Sequence, residues 1–547
     1  MDDDRIAIVG LACRVPGADG PTEFWANLIG GVDAIQRSEQ TDESFVPAFG
    51  RLDDLAGFDA PLFGYTPDVA ALLDPQHRLF LEVAWSALED GGYGRTDPEV
   101  QVGVFAGCGA NRYLRHHLLG NPALRPSGGL MEDWDDLLAG STCDYLPTRA
   151  AYALGLTGPA VAVQTACSSS LVSVCQAAQS LLDFRCDLAL AGGAAVVSTR
   201  QAGYRYRPGG TLAADGVCRP YDGSATGQVF GNGAGAVLLK RLADAIEDDD
   251  HIYGVLAGWA VNNDGAERAG FTAPGVTGQA SVVAEALGAA DWPAGTVGFV
   301  EGHGSGTAIG DALEIEALTR AFRMSTDETG QCVLGSVKSG IGNLDAAAGV
   351  VGLIKTVLAV RHGVIPGTLH FEQPHPDVDL AATPFVVTAT EQKWSGPRRA
   401  GVSSFGQGGT NAHVLVEEPP PRAAGDGDEP WVLLPLSAGS PVALRRLAAR
   451  LADHLDTTDC SPVDAAYTLA AGRRRLSYRA AVVARDRYEA IAALRSERFQ
   501  SPEQAPEAVK DAAAAWMRGG EVTPAAGRRV PLPAYPFERV RHWIEPA

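Results

Sequence analysis

Apolar and polar positions divide this chain into short runs of two kinds. Small and β-branched apolar residues cluster at IAIVG (6–10), VGVFAG (102–107), LALAGGAAVV (188–197), GAVLLKRL (235–242), IYGVLAGWAV (252–261), VGFVEGH (297–303) and AHVLVEE (412–418). Near-continuous apolar runs of this length suit strands buried on both faces. Between them the spacing becomes helical, over Asp74–Gly91, Ser168–Phe184, Gly278–Leu287 and Asp311–Phe322. The alternation predicts an α/β fold in which helices cover buried sheets. The 64 glycines predict tight corners where strand gives way to helix.

Three of these corners carry chemistry. Leu171, Val174, Ala178 and Leu181 recur at helical spacing, and the helix they mark starts near Thr165–Ser168. Cys167, in VQTACSSS, therefore sits at a helix N-terminus, where unpaired N–H groups and the macrodipole favour an anion. A thiolate is such an anion and is the nucleophilic form of cysteine. Small residues on both sides leave room for a substrate, although a buried structural thiol would fit the same pattern. His303 lies in EGHGSGTAIGDALE, and Lys338 and Asn343 lie in SVKSGIGNLDAAAGVVGLIK. Each stands at a Gly-rich strand-to-helix corner, where ligand sites of α/β sheets lie. A Cys with a His partner is the usual arrangement for an activated thiol.

Composition narrows the function classes. The net charge of −22 argues against a nucleic-acid partner. None of the nine cysteines forms a CxxC pair or a Cys/His cluster with zinc spacing, so no metal is expected. The odd number, the size and the acidic start MDDDRIAIVGLAC, which lacks a secretory pattern, predict a reducing cytoplasm. No apolar run reaches the roughly 18 residues of a membrane span. The length of 547 residues allows two or more domains. Residues 1–417 read as one dense unit and EEPPPRAAGDGDEP places a linker at 418–430. A smaller α/β unit is expected over 431–510. A tail over 511–547 ends in VPLPAYPFERVRHWIEPA, whose aromatics are expected to lie against the body.

Taken in order, the motifs resemble the β-ketoacyl synthase (ketosynthase) domains of modular polyketide synthases over residues 5–418. They include IAIVGLACRVPGA, DPQHRLFLEVAWSALEDGG, AVQTACSSSLVSV, GQVFGNGAGAVLLKRL, EGHGSGTAIGDALEIEAL, KSGIGNLDAAAGV and SSFGQGGTNAHVLVEE. The resemblance implies the thiolase fold, two stacked βαβαβ-type halves layered α/β/α/β/α, normally as a homodimer. The halves would divide near residue 257, although no duplication is visible in the sequence itself. It implies that Cys167 is the nucleophile that takes an acyl chain from the phosphopantetheine of an acyl carrier protein. The backbone N–H groups of Cys167 and Gln407 match the oxyanion hole, in the Gly-rich loop that also carries Phe405 and Gly408. His303 matches the first active-site His and Lys338 the residue that orders it. Ser305 and Thr307 match a hydroxyl pair that lines the substrate. No cofactor is implied beyond the carrier-bound phosphopantetheine.

One departure changes the expected reaction. Where the family pattern ends in a second His, this chain has Asn343. An amide donates hydrogen bonds but carries no charge and exchanges no proton. Ketosynthases that keep Cys and lose this His resemble the non-elongating class, which passes the acyl chain from an upstream to a downstream carrier protein unchanged. The alternative is decarboxylative elongation with a malonyl carrier protein through a Cys-His-Asn triad; a non-catalytic structural role is disfavoured by Cys167. Gln407 stands where relatives carry an apolar gate. No GHSxG acyltransferase motif occurs, and the order of ketosynthase, flanking unit and tail resembles that of trans-acyltransferase synthases.

Overall fold

The computed structural model describes residues 4–39, 44–95, 97–124, 137–198, 203–422, 431–524 and 526–546. Every apolar run becomes a strand and every helical stretch a helix. The first half contains β1 (Ile6–Arg14), α1 (Pro75–Asp90), β2 (Val102–Cys108), α2 (Tyr145–Leu154), β3 (Ala160–Ala162), α3 (Ser169–Leu182), β4 (Leu188–Ala195) and β5 (Gly233–Arg241). The second repeats the succession with β6 (Gly254–Asn263), α4 (Val276–Ala290), β7 (Phe299–Glu301), α5 (Ala308–Phe322), β8 (Cys332–Gly335), α6 (Ala348–His362), β9 (Arg399–Phe405) and β10 (Thr410–Glu417).

The strand order is β1-β5-β4-β2-β3 in one half and β6-β10-β9-β7-β8 in the other, with the short strand Phe385–Val386 added beyond β8. In both halves the first two pairings are antiparallel and the last two parallel. The halves join where β1 pairs with β6, Ile6 opposite Leu256. This is the internal duplication that the sequence does not display.

Burial supplies the layers. One core packs α1 and α2 on the first sheet through Val83, Ala84, Leu146 and Ala150. A second places α3 and α6 between the two sheets through Leu171, Val174, Val350 and Ile354. A third packs α4 and α5 on the far face of the second sheet through Val282, Ile315 and Leu318. The architecture is α/β/α/β/α. All four residues that mark α3 in the sequence are fully buried. The central helix α6 is buried from Ala348 to Val360, as expected for a helix apolar all round.

The two central helices begin alike. A single 3-10 turn, Ala166–Ser168, precedes α3, and another, Asp345–Ala347, precedes α6. Each opens on a non-glycine residue in the left-handed region, Ala166 at φ 57° and Asp345 at φ 48°. Strain of this kind concentrates at functional sites. The two turns pack against each other.

Beyond the first two residues of the expected 418–430 linker, Arg422 is held by Asp249 at 2.9 Å; residues 423–430 lie outside the described residues. The flanking unit has its own core around β11 (Val432–Ala438) and β12 (Tyr478–Ala484), which pair antiparallel. Helices α7 (Pro441–Thr457), α8 (Pro462–Gly472) and α9 (Arg487–Arg495) cover one side of it. The boundary expected at 510 falls inside a helix, α10 (Glu507–Met517). Its Trp516 packs on β12 and donates to Leu436 O and Ala480 O, both at 3.0 Å. The run of four alanines favours helix strongly, a preference that its Pro- and Gly-rich surroundings masked in the sequence. The tail lies on the first half. Val540–Arg541 pairs with Gly57–Phe58, Arg539 binds Glu82 at 2.7 Å, and Tyr535 and Phe537 meet the Trp85 ring tilted and edge-on.

The β9–β10 hairpin, which presents the SSFGQGGTN loop, contains a buried histidine. His413 is 1% exposed and its Nδ1 meets Ser403 Oγ at 2.9 Å. Burial lowers its pKa to about 3, against about 6.5 when unfolded. Above pH 6.5 it is neutral in both states and contributes nothing to pH dependence. Below that, the unfolded chain takes up a proton that the folded chain refuses, so stability falls as pH falls. At pH 5 the penalty is about 2 kcal/mol. His413→Gln is expected to shallow the fall in urea midpoint between pH 7 and pH 5 relative to wild type; parallel midpoint curves would refute this.

Candidate active site

The Cys167 corner is built by packing. Ser168 and Ser169 are fully buried; Ser168 Oγ donates to Thr165 O at 2.9 Å and Ser169 Oγ to Ala166 O at 2.7 Å. These bonds hold the left-handed turn that lifts Cys167 to the start of α3. The Cys167 Sγ is 3.7 Å from Asp345 Oδ1 and 3.9 Å from Asn343 Nδ2. The helix N-terminus does not leave a thiolate at rest. Burial, and after it the Asp345 carboxylate, push the thiol up to about 12 against the opposing influence of Lys338 and Asn343. Desolvation outweighs the dipole here.

The HGSGT loop is tied down by two acids of α5. Glu314 accepts the N–H groups of His303 at 2.5 Å and Gly304 at 2.8 Å, and Tyr221 Oη donates to it at 3.1 Å. Asp311 accepts the N–H groups of Tyr221, Ser305 and Gly306 at 2.8, 3.0 and 3.1 Å. Burial raises Asp311 to about 6 and, with Asp311 beside it, Glu314 to about 7. Sequence reasoning missed both acids. Their signal was an i, i+3 acidic pair in the first turns of a helix directly after a Gly-rich loop. The hydroxyls of Ser305 and Thr307 meet at 2.9 Å.

His303 is neutral. Burial and then Lys338 hold its pKa well below the ordinary value. Its Nδ1 accepts the Phe405 N–H at 3.2 Å and lies 3.5 Å from Lys338 Nζ, which also donates to His303 O. Two donors on Nδ1 leave the ring proton on Nε2. The Lys338 corner is braced by Glu301, whose Oε1 accepts the Val337 N–H at 2.6 Å while Oε2 pairs with buried Lys355 at 2.6 Å.

Asn343 is buried, and its neighbour Gly342 turns the chain at φ 77°. Its Oδ1 accepts the Asp345 N–H at 3.0 Å and its Nδ2 donates to Gln228 Oε1 at 2.7 Å. Gln228 lies within one of the motifs but does not stand out there; a lone Gln on a strand-like run carries no signal until Asn343 lies beside it.

The β9–β10 loop closes the site. Ser404 Oγ donates to Cys167 O at 2.9 Å and Gly406 N–H to Thr410 O at 2.8 Å. Gly408 and Gly409 stand at φ 120° and 88°, a path that side-chain-bearing residues rarely follow. Phe405 is buried against His303, with rings 5.7 Å apart. Gln407 is exposed at the tip. Cys167, Asn343, His303, Lys338 and the loop Phe405–Gly408 therefore converge, and among the described residues no group of His, Cys, Asp and Glu is arranged to hold a metal.

The model of the β-ketoacyl synthase N-terminal domain matches residues 3–245 and that of the C-terminal domain residues 253–372. Ketosynthase twelve of the bacillaene polyketide synthase from Bacillus amyloliquefaciens is 33% identical, with 99% of this chain and all of that one covered at a TM-score of 0.89. The chain belongs to the polyketide synthase ketosynthases. The ketosynthase of module 6 of the bacillaene synthase from Bacillus subtilis 168 is likewise 33% identical, at a TM-score of 0.85 over 98% of this chain and all of that one. The model of the CurL-like polyketide synthase C-terminal region matches 432–494, the flanking unit of this ketosynthase. A phenolphthiocerol/phthiocerol polyketide synthase of Mycobacterium tuberculosis is 44% identical over 520 residues, 91% of this chain and 35% of that protein. The chain thus spans about a third of the length of that relative. As a ketosynthase it is a transferase. The change from N-terminal to C-terminal family model, between residues 245 and 253, falls between β5 and β6, where the two structural halves meet.

Proposed function

We propose that this ketosynthase transfers an acyl chain without extending it. Cys167 takes the chain from the phosphopantetheine thioester of an upstream acyl carrier protein and releases it to a downstream one. The N–H groups of Cys167 and Gln407 stabilise the charge that develops on the thioester oxygen. His303 offers one N–H donor through Nε2, and Lys338 keeps that ring neutral and oriented. Ser305 and Thr307 line the approach of the pantetheine arm. No resident cofactor takes part.

The observation that carries the reading is the state of Asn343. Its amide stands beside Cys167 where an imidazole would serve elongation, and one of its two N–H groups is already bonded to Gln228 at 2.7 Å. That leaves one uncharged donor for an enolate oxygen. The same N–H supports the second reading, elongation through a Cys-His-Asn triad, because it faces the sulfur. The flanking unit and tail, with no GHSxG serine between them, support a place in a trans-acyltransferase synthase. The outer edge strand β3, with Val161 38% exposed, supports pairing with a second copy as a homodimer.

The test loads the protein with a short acyl thioester and then adds malonyl carrier protein, followed by intact-protein mass spectrometry. The acyl group is expected to move unchanged to an unloaded acceptor carrier protein, with no β-ketoacyl product. Formation of a β-ketoacyl carrier protein with loss of carbon dioxide would establish the second reading instead.

A further inference from the structure

We infer that Asp345 is a catalytic residue, the proton carrier of Cys167 in both halves of the transfer. Its Oδ1 lies 3.7 Å from the Cys167 Sγ, and the sulfur donates its hydrogen to that oxygen. The fold puts it there. The turns before α3 and α6 pack together, and each places its first residues at the junction of the two halves. In one half that junction presents the thiol and in the other the carboxyl. Asp345 occupies the left-handed region at φ 48°, with its N–H bonded to Asn343 Oδ1 at 3.0 Å. Its backbone is thereby fixed by the same amide that faces the sulfur.

The other candidates for this task are engaged. His303 Nδ1 accepts the Phe405 N–H, so the side of the ring able to take a proton is filled. Asn343 has no proton to exchange. Burial and the Asp345 carboxylate favour the thiol form, and the acceptor beside that thiol is Asp345 Oδ1 at 3.7 Å, placed to take the proton as the sulfur attacks. The charged groups around the pair are Arg112, which acts on the Asp345 carboxylate, and Lys338, which acts on the thiol; His303 is neutral. Burial raises the Asp345 carboxyl, which brings it closer to the range useful for proton transfer.

The step balances without a further reagent. The Cys167 sulfur attacks the thioester carbon as its proton passes to Asp345 Oδ1. The tetrahedral oxyanion collapses, the bond from carbon to the phosphopantetheine sulfur breaks, and Asp345 returns the proton to that leaving sulfur. In the second half the incoming carrier thiol gives its proton to Asp345 as it attacks, and Cys167 recovers it on leaving. One carboxyl serves both directions because both are exchanges of one thiol for another.

This inference rests on Cys167 being the acylated thiol but not on whether the chain is elongated, since loading is common to both reactions. The test compares two rates at Cys167 in Asp345→Asn. One is loading from an acyl thioester in a single turnover. The other is alkylation by iodoacetamide, read at the Cys167 peptide, which needs only thiolate. Removing the carboxylate frees the thiolate of a repelling charge, so alkylation is expected to quicken. Loading is expected to slow by about 10²-fold or more. Its rate should also change from a plateau above the carboxyl pKa to a tenfold rise per pH unit between 6 and 9. Asp345→Glu should restore the plateau and part of the rate. Loading that is unchanged or faster in Asp345→Asn would overturn the inference and leave Asp345 as a charge only. Both reactions slowed in both variants would also overturn it, since the residue would then be holding the turn. Absence of a Cys167 adduct in the wild type would instead defeat the proposed function.

Discussion

Cys167→Ala is expected to abolish acyl loading outright. Eight other cysteines remain and none is joined in a disulfide, so the loss must come from the site and not from scarcity of thiols. Six of them, at 13, 108, 175, 186, 218 and 332, are buried, and Cys143 and Cys460 are partly exposed. Cys143, with its pKa lowered chiefly by the neighbouring Cys108 sulfur, is the more readily alkylated of those two. Neither has a Gly-rich loop bonded to its own turn, as Ser404 is bonded to Cys167 O at 2.9 Å. Iodoacetamide should therefore still label Cys143 in the variant, while an acyl carrier thioester labels nothing. Overall acyl transfer between carrier proteins should fall on the order of 10⁶-fold, the scale on which covalent catalysis fails without its nucleophile. Intact-protein mass spectrometry reads the adduct directly. A persistent stoichiometric acyl adduct in Cys167→Ala would move the chemistry to another residue.

Gly406→Ala should come next in effect, although glycine to alanine is a change of one methyl. A Cβ at Gly406 would stand inside the contact distance of Thr165 O and 2.6 Å from Ser168 Oγ. Thr165 O is backbone, and Ser168 Oγ is fixed by its bonds to Thr165. Neither side can yield cheaply, so the β9–β10 loop must lift away from the turn that carries Cys167. In the proposed reaction that movement withdraws the Gln407 N–H from the developing oxyanion. Loss of one such donor costs about 10²–10³ in rate. The fall should appear in the maximal loading rate, with thioester affinity changed much less. Gly288→Ala, in α4 with open space around it, is the matched control and should load like wild type. Wild-type loading by Gly406→Ala would show that this loop does not supply the oxyanion donor.

The strands and helices that frame the site were legible because their burial is simple. Runs such as LALAGGAAVV are buried on both faces in β4, and the stripe of Leu171, Val174, Ala178 and Leu181 faces one core in α3. Periodicity reports burial faithfully in such cases. Helix α10 was not legible, because its run of four alanines stands among Pro and Gly and its docking rests on Trp516 reaching carbonyls of β11 and β12, 80 and 36 residues away. The resting state of Cys167 was not legible either. Its position at a helix start argued for a thiolate, and the depth of burial and the Asp345 carboxylate reversed that.

Local chain order settles which residue types stand at which corner. His303 and Lys338 follow strand runs at glycine-bearing turns, Cys167 opens a helix through a run of small residues, and Asn343 follows Gly342, and signals of this kind can be read locally. Folding settles how those corners face one another. The duplication that sets the turn of Ala166–Ser168 against that of Asp345–Ala347 resides in strand order, which two halves can share without sharing residues. Asp345, Gln228, Asp311 and Glu314 gain their roles from contacts between 2 and 178 residues apart in sequence. Hydrogen bonds and charges act over a few ångströms in space, and only the folded chain defines which residues those few ångströms include.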